Sequence, residues 1–168
     1  MAKIYLFGQK IEADKNLSLY YELNYRLKEL GHEVYDEETD YGKEQEYSFK
    51  KAIAGADVII PIITKYSLES NSFLNELIQL RNYSLHRNDK ILIPIITSET
   101  KYEYLPDILR NINFIRLENK LDIIQINQVV KKINESINSF LGRKIAADEE
   151  ALEFKEKIEK TAPAYIVE

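Results

Sequence analysis

The sequence predicts an α/β fold in which a five-stranded parallel sheet is covered by helices on both faces. Short apolar runs alternate along the chain with stretches whose apolar residues recur at helical spacing. Such alternation is typical of parallel strands joined by right-handed helical crossovers. Residues 57–64 are apolar almost throughout, as expected of a strand that is buried on both faces. Five units of this kind are most often wound in the strand order 2-1-3-4-5, which is the flavodoxin-like arrangement.

The first two units are short. Residues 3–7 are predicted to form a strand, and residues 32–35 a second one. Between them lies a helix that Gly31 ends, with one apolar face formed by Leu17, Tyr20, Leu23, Leu27 and Leu30. An acidic loop follows the second strand, and a short helix covers about residues 45–54.

The remaining units follow the third strand. A helix is predicted over about residues 72–86, and a fourth strand over residues 90–96, where Pro94 removes a ladder hydrogen bond and suggests an irregularity. Residues 104–109 are predicted to form a helical turn and residues 113–117 a fifth strand. A long helix then carries one apolar face, formed by Ile126, Val129 or Val130, Ile133, Ile137 and Phe140.

The end of the chain differs in composition. We place the α/β domain at residues 1–141 and a charged C-terminal helix or linker at residues 142–168. Its narrow apolar face consists of Ala147, Ala151, Phe154 and Ile158. We expect an amphipathic helix packed at the edge of the domain and ended by Pro163. A coiled-coil partner helix is less favoured, because the apolar stripe lasts barely three turns; the third possibility is a link to a further module.

Composition excludes several classes of function. The chain has 168 residues, which suits one domain, and it has no cysteine, so disulfides, thiolate catalysis and cysteine-based zinc sites are excluded. A net charge of -5 without a basic stripe argues against nucleic acid as a partner. The first residues enter a strand at once, and no apolar run approaches membrane-spanning length. We expect a cytoplasmic protein that binds neither nucleic acid nor membrane.

The strand order points to one place for a ligand. Strands one and three flank the point where the winding direction reverses, and open α/β sheets bind ligands just beyond the carboxyl ends of such strands. After strand three, residues 65–77 place the carboxylate of Glu76 early in a helix. The residues alone leave two roles open for Glu76: an ionic partner of a buried cation, or a functional carboxylate.

Other residues are predicted to reach the same edge of the sheet. Gly8 either allows a ligand to approach the backbone or is a plain turn glycine, and Gln9 can form hydrogen bonds. Ser70 or Ser72 can cap the helix, whose first N–H groups suit a phosphate or another anion. The loop of residues 36–43 can act as a mobile flap.

Some common sites are not predicted. His32 and His86 lie at the ends of elements, without the spacing of a metal pair, and are interpreted as surface or boundary residues. No metal site is expected. The five glycines are isolated, which excludes the glycine-rich loops of the common nucleotide folds. In the flap, Tyr41 beside Gly42 can stack on a base.

Several of these segments together resemble a bacterial Toll/interleukin-1 receptor (TIR) domain, over about residues 1–141. The resemblance rests on strand one, on Asp36 and Gly42 in the following loop, on the segment from Ala56 to Ser67, on Ser70 with Asn75-Glu76-Leu77, and on Ile93-Pro94-Ile95. Its most specific part is the serine-rich turn that leads to the Glu-Leu pair.

The resemblance implies an activity. Enzymatic TIR domains cleave NAD at the nicotinamide glycosidic bond, giving ADP-ribose or a cyclic isomer, and their catalytic glutamate corresponds to Glu76. NAD is then the substrate, and no cofactor is implied. Substrate contacts are expected from residues at the ends of strands one and three and from the flap, namely Phe7, Gly8, Gln9, Lys10, Tyr41, Gly42, Ser70, Ser72 and Phe73.

The resemblance also implies partners. Residues 36–43 correspond to the BB loop, which gates the site and mediates self-association. Activation by self-assembly in an immune, anti-phage type of system is implied, together with a sensor or oligomerising module that is either attached or separate.

Two alternatives remain. The first is a non-catalytic interaction module, as many TIR domains are. This alternative is favoured by Ser72, which stands where the family often has an aromatic residue; Phe73 is adjacent but points about 100° away on an ideal helix.

The second alternative is a nucleoside deoxyribosyltransferase, whose opening phrase resembles residues 3–6 and whose next strand resembles residues 31–34. That enzyme exchanges bases on deoxynucleosides and ignores NAD.

Overall fold

The computed structural model describes residues 1–8, 14–35, 45–65, 67–85, 89–97, 100–110, 112–117 and 123–161. Its strands form a single parallel sheet in the order β2-β1-β3-β5-β6, with β4 also paired to β3. The strands are β1 (Lys3–Phe7), β2 (Glu33–Val34), β3 (Val58–Ile63), β4 (Ile91–Leu92), β5 (Ile95–Thr97) and β6 (Ile115–Leu117). The predicted order 2-1-3-4-5 is confirmed, with β4 and β5 together forming the fourth strand.

The fourth strand is interrupted by the irregularity predicted at Pro94. Val58 pairs with Ile91 before the break and Ile62 pairs with Ile95 after it, so the register against β3 is the same on both sides. Proline has no N–H group to donate to the ladder. Its carbonyl oxygen still accepts a hydrogen bond of 2.9 Å from the backbone of Ile115, which keeps the neighbouring strand attached.

Helices cover both faces of the sheet. They are α1 (Asp14–Glu29), α2 (Gln45–Gly55), α3 (Asn71–Leu85), α4 (Asp107–Arg110) and α5 (Ile123–Thr161), with single 3-10 turns at Ser67–Glu69 and Tyr102–Tyr104. Side chains of a strand alternate between faces. Ile4 and Leu6 of β1 therefore pack with α1 and α5, whereas Tyr5 and Phe7 pack with α2, α3 and α4. Within the described residues no helix is both long and apolar enough to cross a lipid bilayer.

Helix α1 ends at Glu29, and the turn that follows it contains Gly31, the residue predicted to end the helix. The backbone of Gly31 has φ of +90°, a conformation that favours glycine, and its N–H group donates to the carbonyl of Lys28 at 3.0 Å. Leu30 was expected on the buried face but is 49 % exposed, because it lies in the turn beyond the last helical residue, Glu29. Leu19 is buried in the α1 face instead.

His32 was interpreted as a surface or boundary residue. It does lie at a boundary, between α1 and β2, but it is buried, with 8 % of its surface exposed, so the surface interpretation is wrong. The N–H group of Ala2 donates to its Nδ1 at 3.1 Å, and its Nε2 lies 3.0 Å from Oδ1 of Asn134. A neutral ring that accepts at Nδ1 carries its proton on Nε2 and donates to the amide oxygen. His32 therefore joins the chain start, β2 and α5. His86 lies outside the described residues.

Helix α5 continues without a break through Gly142 for 39 residues. The predicted stripe from Ile126 to Phe140, including both Val129 and Val130, is buried against the sheet. From Ile145 to Lys160 every residue is exposed, so the expected packing of this part at the domain edge is wrong. The boundary that we placed at residue 142 falls inside the helix, close to where its burial ends.

Candidate active site at the carboxyl edge of the sheet

The candidate site is centred on the carboxyl ends of β1 and β3, which are neighbours at the middle of the sheet. Gly8 follows β1 directly. A Cβ atom added to it would lie 3.3 Å from Cβ of Ile62, a contact tighter than side chains normally make. Close packing against β3 is therefore sufficient to favour glycine at this position.

A buried turn of hydroxyl groups follows β3. Ser67 Oγ accepts a hydrogen bond from the backbone N–H of Thr64 at 3.2 Å, and Thr64 Oγ1 accepts one from the N–H of Ser67 at 3.1 Å. The two hydroxyl oxygens are 2.9 Å apart, and the two residues are 3 % and 1 % exposed. Sequence reasoning assigned no role to this pair, although a Thr-x-x-Ser pattern between a buried strand and a helix start is a recognisable turn signal.

Ser70, one of the two predicted capping residues, caps the N-terminus of α3. Its Oγ accepts a hydrogen bond of 3.3 Å from the backbone N–H of Phe73, and its carbonyl accepts one of 3.0 Å from Leu74. Ser72 is exposed in the first turn of the helix. Ser72 and Glu76 are four residues apart, so their side chains lie on the same face.

Phe73 is part of the hydrophobic core. Its ring stacks on that of Phe7, with centroids 4.9 Å apart and planes inclined by 7°. The two residues are only 3 % and 6 % exposed. Rings buried in this way can form the floor of a site, but they offer no open face on which a substrate could stack. Their effect is to fix the first turn of α3 against the end of β1.

Glu76 lies in the second turn of α3 and is half-buried. On the same helix Phe73, Leu77 and Leu80 are buried against the sheet. The carboxylate is therefore held at the border of an apolar core, on a helix whose start is fixed by the Ser70 cap and by the Phe7–Phe73 stack. A carboxylate at such a border is only partly solvated, which strengthens its interaction with positive charge.

Four of the predicted site residues lie outside the described residues. They are Gln9, Lys10, Tyr41 and Gly42. The whole loop of residues 36–43 also lies outside the described residues. Their roles stay predictions. In the described part of the chain, no three His, Asp or Glu side chains come together in a group that could hold a metal ion.

A cavity at the same edge of the sheet was not predicted. It has a volume of about 520 Å³ and lies between the turns that follow β3 and β5, lined by Lys65, Leu68, Glu69, Thr100, Lys101 and Tyr104. Its volume is within the range of small-molecule sites. The turn after β5 resembles the one after β3, since the hydroxyls of Thr97 and Thr100 lie 3.2 Å apart.

The buried turn supplies a testable prediction. Ser67→Ala removes the acceptor of the Thr64 N–H group, and a buried donor without a partner costs roughly 1–3 kcal/mol. We expect a decrease of that size in the free energy of unfolding, measured by urea denaturation. The matched change is Ser72→Ala, at an exposed serine five residues further along the chain. It is expected to change the free energy of unfolding by less than about 0.5 kcal/mol. Equal effects of the two substitutions would contradict the role given to Ser67.

Comparisons with known proteins agree with this architecture. The TIR-STING receptor from C. gigas in complex with 2′,3′-cGAMP superimposes with a TM-score of 0.61 at 20 % identity, over 76 % of this chain and 38 % of the receptor. This chain thus spans well under half of that receptor's length. The TIR domains of the activated Roq1 resistosome, which directly recognises the pathogen effector XopQ, give a TM-score of 0.63 at 17 % identity, over 79 % of this chain and 99 % of theirs. A prokaryotic SEFIR domain gives 0.55 at 20 % identity, over 80 % and 97 %.

At such identities a structural likeness shows the fold alone, and no curated protein matches the sequence. The family follows from the sequence match instead. The family model for the TIR domain matches residues 13–130, which is well over half of the chain. The resemblance to a TIR domain is thereby confirmed, and the protein belongs to the TIR domain family.

Proposed function

We propose that this TIR domain cleaves the nicotinamide glycosidic bond of NAD and that Glu76 is its catalytic carboxylate. The observation that carries the proposal is the position of Glu76, half-buried on α3 just beyond the carboxyl end of the central strand β3. Ligands of open α/β sheets bind at this place. The TIR family, to which the chain belongs, includes NAD-cleaving enzymes.

The chemistry needs one well-placed carboxylate. As the bond between C1′ of the ribose and the ring nitrogen breaks, its electron pair leaves with nicotinamide, and positive charge develops on the ribose as an oxocarbenium ion. Glu76 stabilises that charge and accepts hydrogen bonds from the ribose hydroxyls. Water then adds to C1′ and loses a proton, giving ADP-ribose; attack by the adenine of the same molecule gives a cyclic isomer.

The surroundings of Glu76 have two roles in this proposal. The Ser70 cap and the Phe7–Phe73 stack hold α3 in place, so that the carboxylate needs little reorganisation during the reaction. Ser72, exposed one turn before Glu76 on the same face of the helix, is the proposed substrate contact beside the carboxylate.

The remaining contacts of the substrate are proposed from the family resemblance. Gln9 and Lys10, after β1, border the nucleotide, and Tyr41 with Gly42 covers it from the flap. The 520 Å³ cavity at the same edge of the sheet is lined by Lys65 and Lys101 together with Glu69. Its two lysines outnumber its one acid, which favours an anionic substrate such as a dinucleotide.

Self-association belongs to the same proposal. The fold matches the TIR domains of an activated resistosome, which supports assembly as the activating step. We propose that residues 36–43 mediate it, with an attached or separate sensor module and an immune role of the anti-phage type. Activity then depends on local concentration, and dilute protein is nearly inactive.

A non-catalytic interaction module is the second candidate. It is favoured by Ser72 in place of an aromatic residue and by the burial of Phe73, which together leave no exposed aromatic ring in the first turn of α3. A scaffold of this kind needs the fold and the flap but no catalytic carboxylate.

The experiment that separates these functions uses the full chain with NAD, in concentrated solution and clustered on beads or vesicles, with products measured by mass spectrometry. We expect nicotinamide release together with ADP-ribose or its cyclic isomer, rising more steeply than protein concentration. NAD that remains intact in clustered protein would favour the scaffold. Base exchange on deoxynucleosides with NAD untouched would identify a deoxyribosyltransferase instead.

A further inference from the structure

The apolar stripe that packs α5 onto the sheet continues beyond the sheet. Along the buried part, Ile126, Val130, Ile133, Ile137 and Phe140 follow each other at alternating intervals of four and three residues. With Lys144 and Ala147 as the next two positions, the same alternation continues through Ala151, Phe154 and Ile158. An apolar repeat of this kind is the pattern of a helix that packs against another helix.

The continuation of the stripe, which we call the tail stripe, consists of Ala147, Ala151, Phe154 and Ile158. All four residues are exposed, Phe154 to 66 % and Ile158 to 47 %. An ion pair between Lys144 Nζ and Asp57 Oδ1, at 3.5 Å, ties the helix to the domain just before the tail stripe. Asp57 directly precedes β3, so α5 leaves the sheet at its amino edge, opposite Glu76. From there the helix projects by about 25 Å.

Charge and side-chain size point to a second copy of this chain in antiparallel orientation. If the two tail stripes cross midway between residues 151 and 154, Ala147 faces the partner's Ile158 and Ala151 faces the partner's Phe154, so that small residues meet large ones. The flanking charges are then opposite in sign: Glu150 lies beside the partner's Lys157, and Asp148 beside the partner's Lys155. Flanking charges of this kind set the partner and the orientation of a coiled coil.

The domain itself excludes the parallel alternative. The tail stripe lies on the same face of α5 as Ile133 and Phe140, which the sheet covers. A partner helix running parallel and in register would have to pass through the space that this sheet occupies. In the antiparallel arrangement the two domains lie at opposite ends of the helix pair. A cavity of about 580 Å³ between the helix and the start of β4, lined in part by Lys90, Ala147 and Asp148, leaves room for the end of the partner helix.

We infer that residues 144–161 form an antiparallel helix pair with a second copy of the chain, through the tail stripe. The pair leaves the carboxyl edge of both sheets free, because the tails leave the domain at the amino edge. The inference involves none of residues 36–43, and it does not depend on NAD cleavage.

The first test is the oligomeric state of the full chain by analytical ultracentrifugation. We expect a monomer–dimer equilibrium, and Phe154→Glu is expected to raise the dissociation constant at least about a hundredfold, because a charge then replaces each of the two buried rings. The matched control is Leu152→Glu, since Leu152 is 58 % exposed on the same helix but lies about 100° around it from Ala151. A chain that stays monomeric at millimolar concentration overturns the inference, and so does equal weakening by the two substitutions.

The second test concerns orientation. The chain has no cysteine, so a chain carrying Ala147→Cys can be mixed under oxidising conditions with one carrying Ile158→Cys. The antiparallel pair predicts a disulfide between the two different variants and little within either one alone. Disulfides that form mainly between two copies of the Ala147→Cys variant would show a parallel pair and refute the arrangement. Circular dichroism of both variants confirms that they fold.

Discussion

Glu76→Gln is expected to reduce nicotinamide release from NAD at least about a thousandfold while leaving the fold intact. The amide has nearly the size of the carboxylate, so the packing of α3 changes little. It lacks the negative charge that stabilises the oxocarbenium ion, and it offers one acceptor oxygen to the ribose hydroxyls in place of two. The measurement is the initial rate of nicotinamide release by clustered protein, with the parent chain assayed at the same density.

Two controls make this result specific. Glu135→Gln removes an exposed acid from α5, far from the carboxyl edge, and is expected to cleave NAD at the parent rate. The urea unfolding curve of Glu76→Gln is expected to keep a cooperative transition, so that the protein is folded under assay conditions and a loss of fold is excluded as the cause. If the purified Glu76→Gln protein released nicotinamide at the parent rate, the assignment of the catalytic residue would be wrong.

The topology could be predicted from the sequence because its determinants are local. Alternating strand and helix patterns, together with the rule that crossovers are right-handed, leave few arrangements of five parallel strands. Pro94 marked the break between β4 and β5 for the same reason, since a missing N–H group has its effect at its own position. The face of α5 that covers the sheet was equally visible in the spacing from Ile126 to Phe140.

The features that were missed depend on contacts between distant parts of the chain. His32 is buried because Ala2 and Asn134 both supply hydrogen-bond partners to its ring, and no local pattern shows such partners. The tail stripe was interpreted as packed because apolar spacing indicates that a face is covered, but not by which molecule. At the site, the sequence located Glu76 and the Ser70 cap, whereas the burial of Phe73 depends on the ring of Phe7, far away along the chain.

Phe73→Ala is expected to lower the free energy of unfolding by about 3–5 kcal/mol, the largest effect on stability that we predict for a single residue. The ring is 3 % exposed, and it stacks on Phe7 at a centroid distance of 4.9 Å. Its removal loses apolar burial, leaves a cavity under the first turn of α3, and removes the aromatic contact. Urea denaturation measures the change.

The matched control is Phe154→Ala, which removes the same side chain from a position that is 66 % exposed. In dilute protein, where the tail helices are not paired, it is expected to change the free energy of unfolding by less than about 0.5 kcal/mol. The contrast between the two phenylalanines tests whether the stack anchors α3.

Phe73→Leu retains most of the apolar volume but not the stack, and it is expected to lower the free energy of unfolding by less than Phe73→Ala does. NAD cleavage by Phe73→Leu would also decrease, because Glu76 lies one turn further along a helix that is less firmly held. A Phe73→Ala protein as stable as Phe154→Ala would show that the Phe7–Phe73 stack does not hold α3 against the sheet.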